Sequence, residues 1–410
     1  MTEPLARVPT DWKSAAMQGR IARRYRSERI FRLFGLGALL LSAGFLAFLL
    51  ITMISNGARG FTQTQIAVPF DLQKLGVDAN AARAGIGLVE VPAIAADAAF
   101  GKGAGRALSE NGWLTLRDAI ARDPSILTRP TTIKIPASSA IAFAERGEGS
   151  SETRALFKML DDKGLVSTGF NSQFLTGSDA TDPTQAGIWG AFKGSLLTMA
   201  VTLLLAFPIG VLSALYLEEY APRNRWTDLI EVSINNLAAV PSIIFGLLGL
   251  AVFLGMWGMP RSAPLIGGMT LALMTMPVIV IAGRNAIKAV PPSIRDAALG
   301  IGASRVQVVF HHVLPLALPG ILTGTIIGMA RALGETAPLL MIGMRAFVAT
   351  PPGGITDPAT VLPVQIFLWS DEVSRGFIEK TSAAIIVLLV FLLAMNAIAI
   401  YLRNKFETRW

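Results

Sequence analysis

The chain has 410 residues, of which 52% are hydrophobic and only 16% are charged, and it contains no cysteine. Soluble domains carry about 25% charged residues, so this composition argues against an ordinary soluble enzyme. The absence of cysteine excludes disulfides and thiolate metal sites. The net charge of +8 does not indicate nucleic acid as a partner, because the excess lies in short segments between apolar runs.

Six apolar runs are long enough to cross a membrane, which takes about 20 residues for a hydrocarbon core of about 30 Å. Five of them contain an uncharged stretch (33–54, 194–217, 232–260, 262–283 and 381–402), and the sixth, 319–344, contains only the charges Arg331 and Glu335. We therefore predict an all-α polytopic membrane protein with six transmembrane helices. Prolines inside the second, third and fourth runs predict kinks. The predicted spans are 31–54, 194–217, 236–257, 263–283, 319–344 and 381–402.

The basic residues predict the orientation of these spans. Four segments (1–32, 217–235, 284–318 and 403–410) hold 17 Lys and Arg against 9 Asp and Glu, which equals the whole net charge. Because cytoplasmic loops are enriched in Lys and Arg, we expect a bacterial inner-membrane protein with both termini in the cytoplasm.

Both ends of the chain are predicted to be cytoplasmic tails, 1–30 and 404–410. The first span follows a basic run and is too long for a signal peptide, so we expect it to remain uncleaved. The arginines of the first tail are expected to set topology and to attract membrane lipids. Binding to a partner protein is the alternative for this tail.

Residues 55–188 form one large polar insert, which the orientation places in the periplasm. Apolar clusters at 84–100 and 112–121 predict a small folded α+β domain, and the alternation in 131–145 is typical of a strand. The insert contains no nucleotide-binding loop, metal-ligand spacing or catalytic constellation. We expect it to have a structural or docking role.

The segment 295–321 between spans four and five carries the sharpest motif. Apolar residues follow helical spacing up to Val313, and Pro315 and Pro319 then interrupt the pattern. Gly302 lacks a Cβ and permits a turn or a close approach. We predict two short helices parallel to the membrane, bearing a shallow knob that docks on a soluble partner. An ordinary amphipathic loop helix is the alternative.

This segment resembles the coupling motif of type I ABC import permeases, which reads Glu-Ala-Ala, three residues, Gly, nine residues, Ile, one residue, Leu-Pro. His312 departs from it by replacing Ile, and Asp296 replaces Glu. The resemblance covers roughly 189–403 and implies a type I ABC importer permease core there. The residues that would form the ATPase-coupling loop are Asp296, Ala297, Ala298, Gly302, Leu314 and Pro315.

The resemblance also implies that a dimer of cytoplasmic ABC ATPase subunits is the partner of this loop. The chain itself has no GxxxxGK[ST] loop, the motif that cradles nucleotide phosphates. We therefore expect a transport subunit rather than an enzyme, with no catalytic residue, metal site or cofactor of its own. ATP and magnesium would bind to the partner ATPase.

Span five contains the charges Arg331 and Glu335, followed by Thr336. A charge at the centre of a membrane helix costs about 2.5–3.5 kcal/mol on insertion scales. The two residues are four apart and are expected to share a helix face, so a private salt bridge is one interpretation. Arginine before glutamate is the less favourable order for such a pair. We favour a role for Arg331, Glu335 and Thr336 in the translocation pathway or its gating.

Three stretches resemble the A-type permease subunit of phosphate ABC transporters: RALGETAPLL (331–340), NNLAAVPSIIFGLLGL (235–250) and ALYLEEYA (214–221). The basic tail and the insert resemble a longer variant of that subunit. The resemblance implies a second, C-type permease subunit and a periplasmic phosphate-binding protein as partners. An arginine fork suits phosphate better than a lysine does.

Two other functions stay open at this point. One is a permease of the same class for another oxyanion or small solute. The other is a membrane sensor whose ligand domain is the insert, although no cytoplasmic segment exceeds roughly thirty residues, which leaves little room for an output module.

Overall fold

The structure, a computed structural model, describes residues 12, 14–83, 85–344 and 347–406. The outermost parts of both predicted tails lie outside the described residues. In the described part, five helices have the length and composition of membrane spans, and a bent pair of helices meets the same criteria when the two are taken together as a sixth. The predicted helical membrane protein with six spans and a small α+β insert is confirmed. The described chain forms two compact units, divided between Ser55 and Asn56.

Helix α1 (Ala15–Gly60) has 46 residues and is roughly 69 Å long at 1.5 Å per residue. It is much longer than the predicted first span, because the helix already begins within the segment predicted as a tail. The residues before the span are mostly Ala, Arg, Gln and Met, which favour helix. Arg32 and Glu28 add an i,i+4 ion pair on this helix.

The insert is built on a three-stranded antiparallel sheet with strand order β2-β1-β3. Its core is formed by alternate residues of β1, such as Ile66 and Val68, packed with Leu116 and Ile135. The strands are β1 (Thr62–Phe70), β2 (Thr131–Pro136) and β3 (Val166–Phe170). The helices are α2 (Ala79–Arg83), α3 (Val91–Phe100), α4 (Gly112–Arg122), α5 (Ser139–Ala144), α6 (Ser151–Asp162) and α7 (Ser172–Thr176), with 3₁₀ turns at Ala104–Ala107 and Pro124–Leu127.

The strand predicted over 131–145 is correct only in its first half. Strand β2 ends at Pro136, and the second half of the segment is helix α5. The buried residues of α5, Ile141 and Ala144, are three apart, which is the spacing of one helix face. The alternation of β2 therefore gives way to a helical period within one apolar segment.

The membrane core is organised around helix α11 (Pro264–Lys288), which packs against α8 (Trp189–Leu215) and α14 (Leu314–Gly334). A π-helical turn, Tyr216–Tyr220, extends α8. The last span is α17 (Gly376–Phe406), and the helices for spans two, four and six all exceed the predicted apolar runs. Hydropathy predicts only the apolar length that lies in the hydrocarbon core. It does not predict the last helical residue, so the helices extend past the predicted runs.

Helices α11 and α14 approach closely through a row of glycines on α14. A Cβ on Gly320 would lie 2.7 Å from the Cβ of Ala286, and one on Gly328 would lie 2.9 Å from Thr275 Cγ2. Gly324 faces Ala282 between them. Small residues at such contacts let membrane helices pack backbone to backbone.

Span three, predicted over 236–257 with a kink at its proline, is broken into two helices. Helix α9 (Arg225–Ala238) and helix α10 (Ser242–Gly249), which a π-helical turn extends to Met256, meet at an angle of 101°. The break falls just before Pro241, where the preceding residue is disfavoured in the helical conformation. The proline thus breaks this span instead of only kinking it.

Candidate functional site: the loop after span four and the end of span five

Helix α12 (Pro292–Gly300) forms the first part of the candidate coupling loop. It ends because Gly302 adopts φ +90°, a left-handed conformation that favours glycine. The turn closes with hydrogen bonds from Gly302 N to Leu299 O (3.0 Å) and from Ala303 N to Ala298 O (3.1 Å). These bonds satisfy carbonyls that a helix end leaves free.

A second helix starts directly after this turn. Ser304 and Gln307 form a capping box, in which each side chain binds the backbone N–H of the other residue. This start satisfies N–H groups that have no partner within the helix. Helix α13 (Arg305–Gln307) then runs through a π-helical turn, Val308–Val313, into α14.

The prediction of two short helices is therefore wrong for the second one. Residues Arg305–Gly334 form one helix of 30 residues, which begins well before the predicted span 319–344. Leu314 and Pro315 lie inside it and do not mark its start or end. Pro315 lies two residues after the end of the π-helical turn at Val313, where the hydrogen-bond pattern has already shifted, so its missing N–H does not end the helix.

The motif residues divide between a buried and an exposed group. Ala298 is buried in a cluster with Val308 and Val309, which fixes α12 against the start of the long helix. Asp296, Ala297, Gly302 and Pro315 are exposed, and Leu314 is partly buried.

Sequence reasoning missed the apolar residues at the tip of the loop. Ile301 is 84% exposed, Val306 57% and Leu299 47%. A contiguous exposed apolar surface marks an interaction site more often than single exposed residues do. The available signal was Ile301 itself, an apolar residue between two glycines in LGIG.

The charged residues of span five sit at a helix end. Helix α14 ends at Gly334, and Glu335 is extended, with φ −78° and ψ 119°. The ring of Pro338 would clash with the carbonyl four residues earlier, that of Gly334, if the helix continued. The prediction that Arg331 and Glu335 share a helix face is therefore wrong, because Glu335 lies beyond the helix.

The two charges nevertheless contact each other. Arg331 Nε donates to Glu335 Oε1 over 3.4 Å, with the arginine side chain 50% exposed and the glutamate 19% exposed. A single bond of this length is a weak hold on a guanidinium, which can make two parallel bonds to a carboxylate. Thr336 follows at the break and is partly exposed.

The segment after the break at Gly334 is packed against neighbouring helices. Helix α15 (Ala337–Met341) packs on α10, where a Cβ on Gly246 would lie 2.6 Å from Pro338 Cα. Its Leu339 is buried in the membrane core with Phe245. Helix α16 (Leu362–Ser370) follows before the last span. The weakly paired charges are thus followed directly by a segment that packs against α10 and the membrane core.

The bundle of long apolar helices defines the class of the protein, a multi-pass membrane protein. The sequence matches the model of the binding-protein-dependent transport system inner membrane component family over residues 206–409. Residues 18–155 match a second family model, a domain of unknown function (DUF3333).

Several curated proteins are similar to the chain. A probable ABC transporter permease, YqgI of Bacillus subtilis, is 32% identical over 240 residues, 56% of this chain and 79% of that protein. The phosphate transport system permease protein PstA 1 of Mycobacterium tuberculosis is 33% identical over 156 residues, 38% of this chain and 51% of that protein. PstA of Haemophilus influenzae is 30% identical over 213 residues, 52% and 74% of the two chains.

The chain therefore belongs to the binding-protein-dependent transport system inner membrane component family, and it is a multi-pass permease component of an ABC transporter. A solved structure of the MetNI methionine ABC transporter, inward facing, has a TM-score of 0.44 and 17% identity over 54% of this chain and 98% of that one. A bacterial ABC transporter for alginate import has a TM-score of 0.40 and 19% identity over 53% and 79%. The assignment rests on the sequence matches.

Proposed function

We propose that the chain is a membrane subunit of an ATP-driven importer of inorganic phosphate. The observation that carries this proposal is the identity of 33% and 30% to relatives named as phosphate transport system permeases. The chain would form the pathway together with a second, C-type permease subunit. A periplasmic phosphate-binding protein would deliver the substrate.

ATP hydrolysis belongs, in this proposal, to a separate dimer of ATPase subunits in the cytoplasm. Helix α12 and the exposed tip around Leu299 and Ile301 would dock on that dimer, since an apolar tip gains free energy when a partner buries it. ATP and Mg²⁺ would be held by the ATPase, and this chain would bind no cofactor. Closure of the ATPase dimer would move the loops and so rock the helices.

Phosphate would pass the charged residues at the end of span five. Arg331 is half-exposed and holds Glu335 by one bond of 3.4 Å, so a phosphate oxygen pair can replace the carboxylate on the guanidinium. Glu335 would take the arginine back when phosphate leaves, and Thr336 would donate a hydroxyl hydrogen bond. This exchange keeps the arginine charge paired in the low-dielectric interior.

The orientation is part of the proposal. The distribution of Lys and Arg supports cytoplasmic termini and a cytoplasmic loop at α12. The insert would then lie in the periplasm, in the bacterial inner membrane.

Uptake of radiolabelled phosphate tests the proposed function. Cells that lack the chain would be compared with complemented cells at low phosphate, with and without depletion of ATP. We expect ATP-dependent uptake that returns with the gene and that excess sulfate or molybdate leaves unchanged. Uptake suppressed by another oxyanion would reassign the cargo, and no uptake of any oxyanion would reject the import function.

A further inference from the structure

Arg295 uses all three of its guanidinium nitrogens in hydrogen bonds to residues outside its own helix. Arg295, in α12, donates from Nε and Nη2 to Glu219 Oε1 over 3.1 and 2.7 Å. It also donates from Nη1 to Val290 O over 2.7 Å and from Nη2 to Ile287 O over 3.0 Å. The Arg295 side chain is 22% exposed and that of Glu219 is 12% exposed.

The partners of Arg295 belong to two different spans. Glu219 lies in the π-helical turn at the end of span two. The carbonyl of Ile287 lies in the last turn of α11, span four, and that of Val290 lies two residues beyond the helix end at Lys288. The Ile287 carbonyl also accepts from Val290 N over 3.2 Å. A single planar guanidinium thus joins the loop helix to two spans at once, which a lysine cannot do with the same geometry.

A second arginine reinforces the same junction. Arg284, on α11, donates to Glu218 over 3.2 Å and to Glu231 of α9 over 2.8 Å. Lys288 lies 3.7 Å from Glu218. The adjacent residues Glu218 and Glu219 therefore connect the end of span two to α11 and α12, and Arg284 extends this network to Glu231 of α9.

Arg295 lies next to the coupling motif, so this junction connects the motif to the membrane spans. Arg295 precedes Asp296, the first residue of the motif, and lies on the same short helix as the exposed Leu299. Buried Ala298 fixes that helix to the start of the long helix of span five. Static contacts thus join α12 to span five through Ala298 and to spans two and four through Arg295.

We infer that Arg295 and Glu219 form a positioning pair that makes α12 move as one body with the cytoplasmic ends of spans two and four. This inference rests on the proposed docking of α12 to an ATPase, and it adds the residues that carry the displacement into the membrane. Without the pair, α12 can tilt while spans two and four stay in place. ATP hydrolysis then continues, but less of it is converted into transport.

A role in folding alone would have a different result. Removing one partner of a part-buried pair leaves an uncompensated charge and destabilises the protein. A purely structural pair would therefore lower the amount or thermal stability of the complex, while each remaining complex would transport the same number of substrate molecules per ATP.

The first test measures transport per ATP hydrolysed by the full transporter, purified through a tag on this chain and reconstituted in liposomes. We expect Arg295→Ala and Glu219→Ala each to lower phosphate transported per ATP by about fivefold, a coupling change of the size seen for such network residues. The double variant should be no worse than either single one. The exchange Arg295→Glu with Glu219→Arg should recover part of the loss.

Arg223→Ala is the matched control, because Arg223 is an exposed arginine without an ion pair to any other described residue. It should leave the ratio unchanged. A normal ratio in Arg295→Ala, with only less complex recovered, would overturn the inference and leave a folding role. A complete loss in each single variant with no recovery in the exchange would also overturn it.

The second test does not depend on the cargo. The chain has no cysteine, so spin labels can be placed at Ser293 in α12 and Leu212 in span two. We expect one narrow distance distribution with and without ATP in the native pair, and a broadened one in Arg295→Ala. An unbroadened distribution would overturn the inference even if phosphate were the wrong substrate, whereas failure of phosphate uptake by the unmutated transporter would overturn only the proposed function.

Discussion

At the scale of single residues, the charged pair of span five separates a transport role from a structural one. Arg331→Ala leaves Glu335 without its ion-pair partner, so phosphate uptake by this variant should fail under either role. The double change to alanine removes both charges and should restore assembly. We expect the double variant to assemble but to take up phosphate poorly, because no guanidinium remains to hold the anion.

The measurement is labelled phosphate uptake, normalised to the amount of complex in the membrane. Arg331→Lys should also be poor, since it loses the bidentate fork. Arg261→Ala, which removes an exposed arginine outside this segment, serves as control. Near-normal uptake by the double variant would reject the transport role and show that Arg331 and Glu335 form only a structural salt bridge.

Gly300 and Gly302 offer a second contrast between neighbouring residues. A Cβ at either position meets nothing within 4 Å, but only Gly302 has a positive φ, +90°. A side chain at Gly302 costs about 1–2 kcal/mol in that conformation, and such a cost changes an equilibrium by about 5–30-fold. Gly302→Leu should therefore lower uptake and transport-stimulated ATP hydrolysis together, by a factor in this range.

Gly300→Leu adds the same bulk on the last residue of α12 without the backbone strain. It should reduce uptake less than Gly302→Leu does, with both variants inserted normally. Equal losses would mean that bulk at the tip, not the shape of the turn, limits docking. Normal uptake by Gly302→Leu would contradict the coupling role of this loop.

At the scale of helices, the close approach of α11 and α14 makes a stability prediction. Gly324 faces Ala282 with no room for a side chain, and overpacking of this kind costs about 1–3 kcal/mol. Gly324→Leu should lower the thermal unfolding temperature of the detergent-solubilised protein, followed by tryptophan fluorescence. Gly37→Leu, on α1 with nothing within 4 Å, should leave it nearly unchanged.

Equal unfolding temperatures for the Gly324 and Gly37 variants would show that α11 and α14 do not pack through this glycine row. The row at 320, 324 and 328 has the spacing of a small-residue helix contact. Its spacing could have been read from the sequence, but small residues are frequent throughout this chain, with 39 glycines, so the pattern did not stand out before the partner helix was known.

At the scale of the whole molecule, the insert and the membrane helices differ in how they bury apolar side chains. The insert buries its apolar residues in a core of its own, as a water-soluble domain does. The membrane helices instead leave large apolar side chains exposed, including Leu204 at 72% and Leu393 at 67%. Surfaces of this size need lipid or a partner subunit to cover them.

The insert also contacts the last span through an ion pair and a hydrogen bond. Arg146 forms a two-bond ion pair with Glu379 in the first turn of α17. Next to it, the buried Lys380 donates to Gly60 O over 3.4 Å. These contacts support the expectation of a structural or docking role, because the domain is fixed to the bundle and not merely tethered by a linker.

The proposed orientation is tested by cysteine labelling, which has no background in a chain without cysteine. Glu110→Cys, in the insert, should react with a membrane-impermeant maleimide in spheroplasts with an intact inner membrane. Arg223→Cys, on the predicted cytoplasmic side, should react only after lysis. The reverse pattern would invert the topology and place α12 outside the cytoplasm, where no ATPase could reach it.

The sequence by itself determined the class of the molecule. Long uncharged runs allow few structures other than membrane helices, because backbone polar groups in lipid must be satisfied within the segment. The small α+β insert was likewise predictable from its apolar clusters and alternation. The loop motif at Asp296 to Pro315 and the charges at 331 and 335 were visible as local patterns, although their roles stay predictions.

Only the tertiary structure decided how these local patterns meet. The pairing of Arg295 with Glu219 joins residues 76 positions apart, and no local spacing predicts such a partner. The break after Gly334 and the 101° bend before Pro241 depend on whether neighbouring elements accommodate a proline or let it end the helix. Hydropathy fixes which segments leave water, whereas side-chain contacts between distant segments fix where each helix stops and which charges face each other.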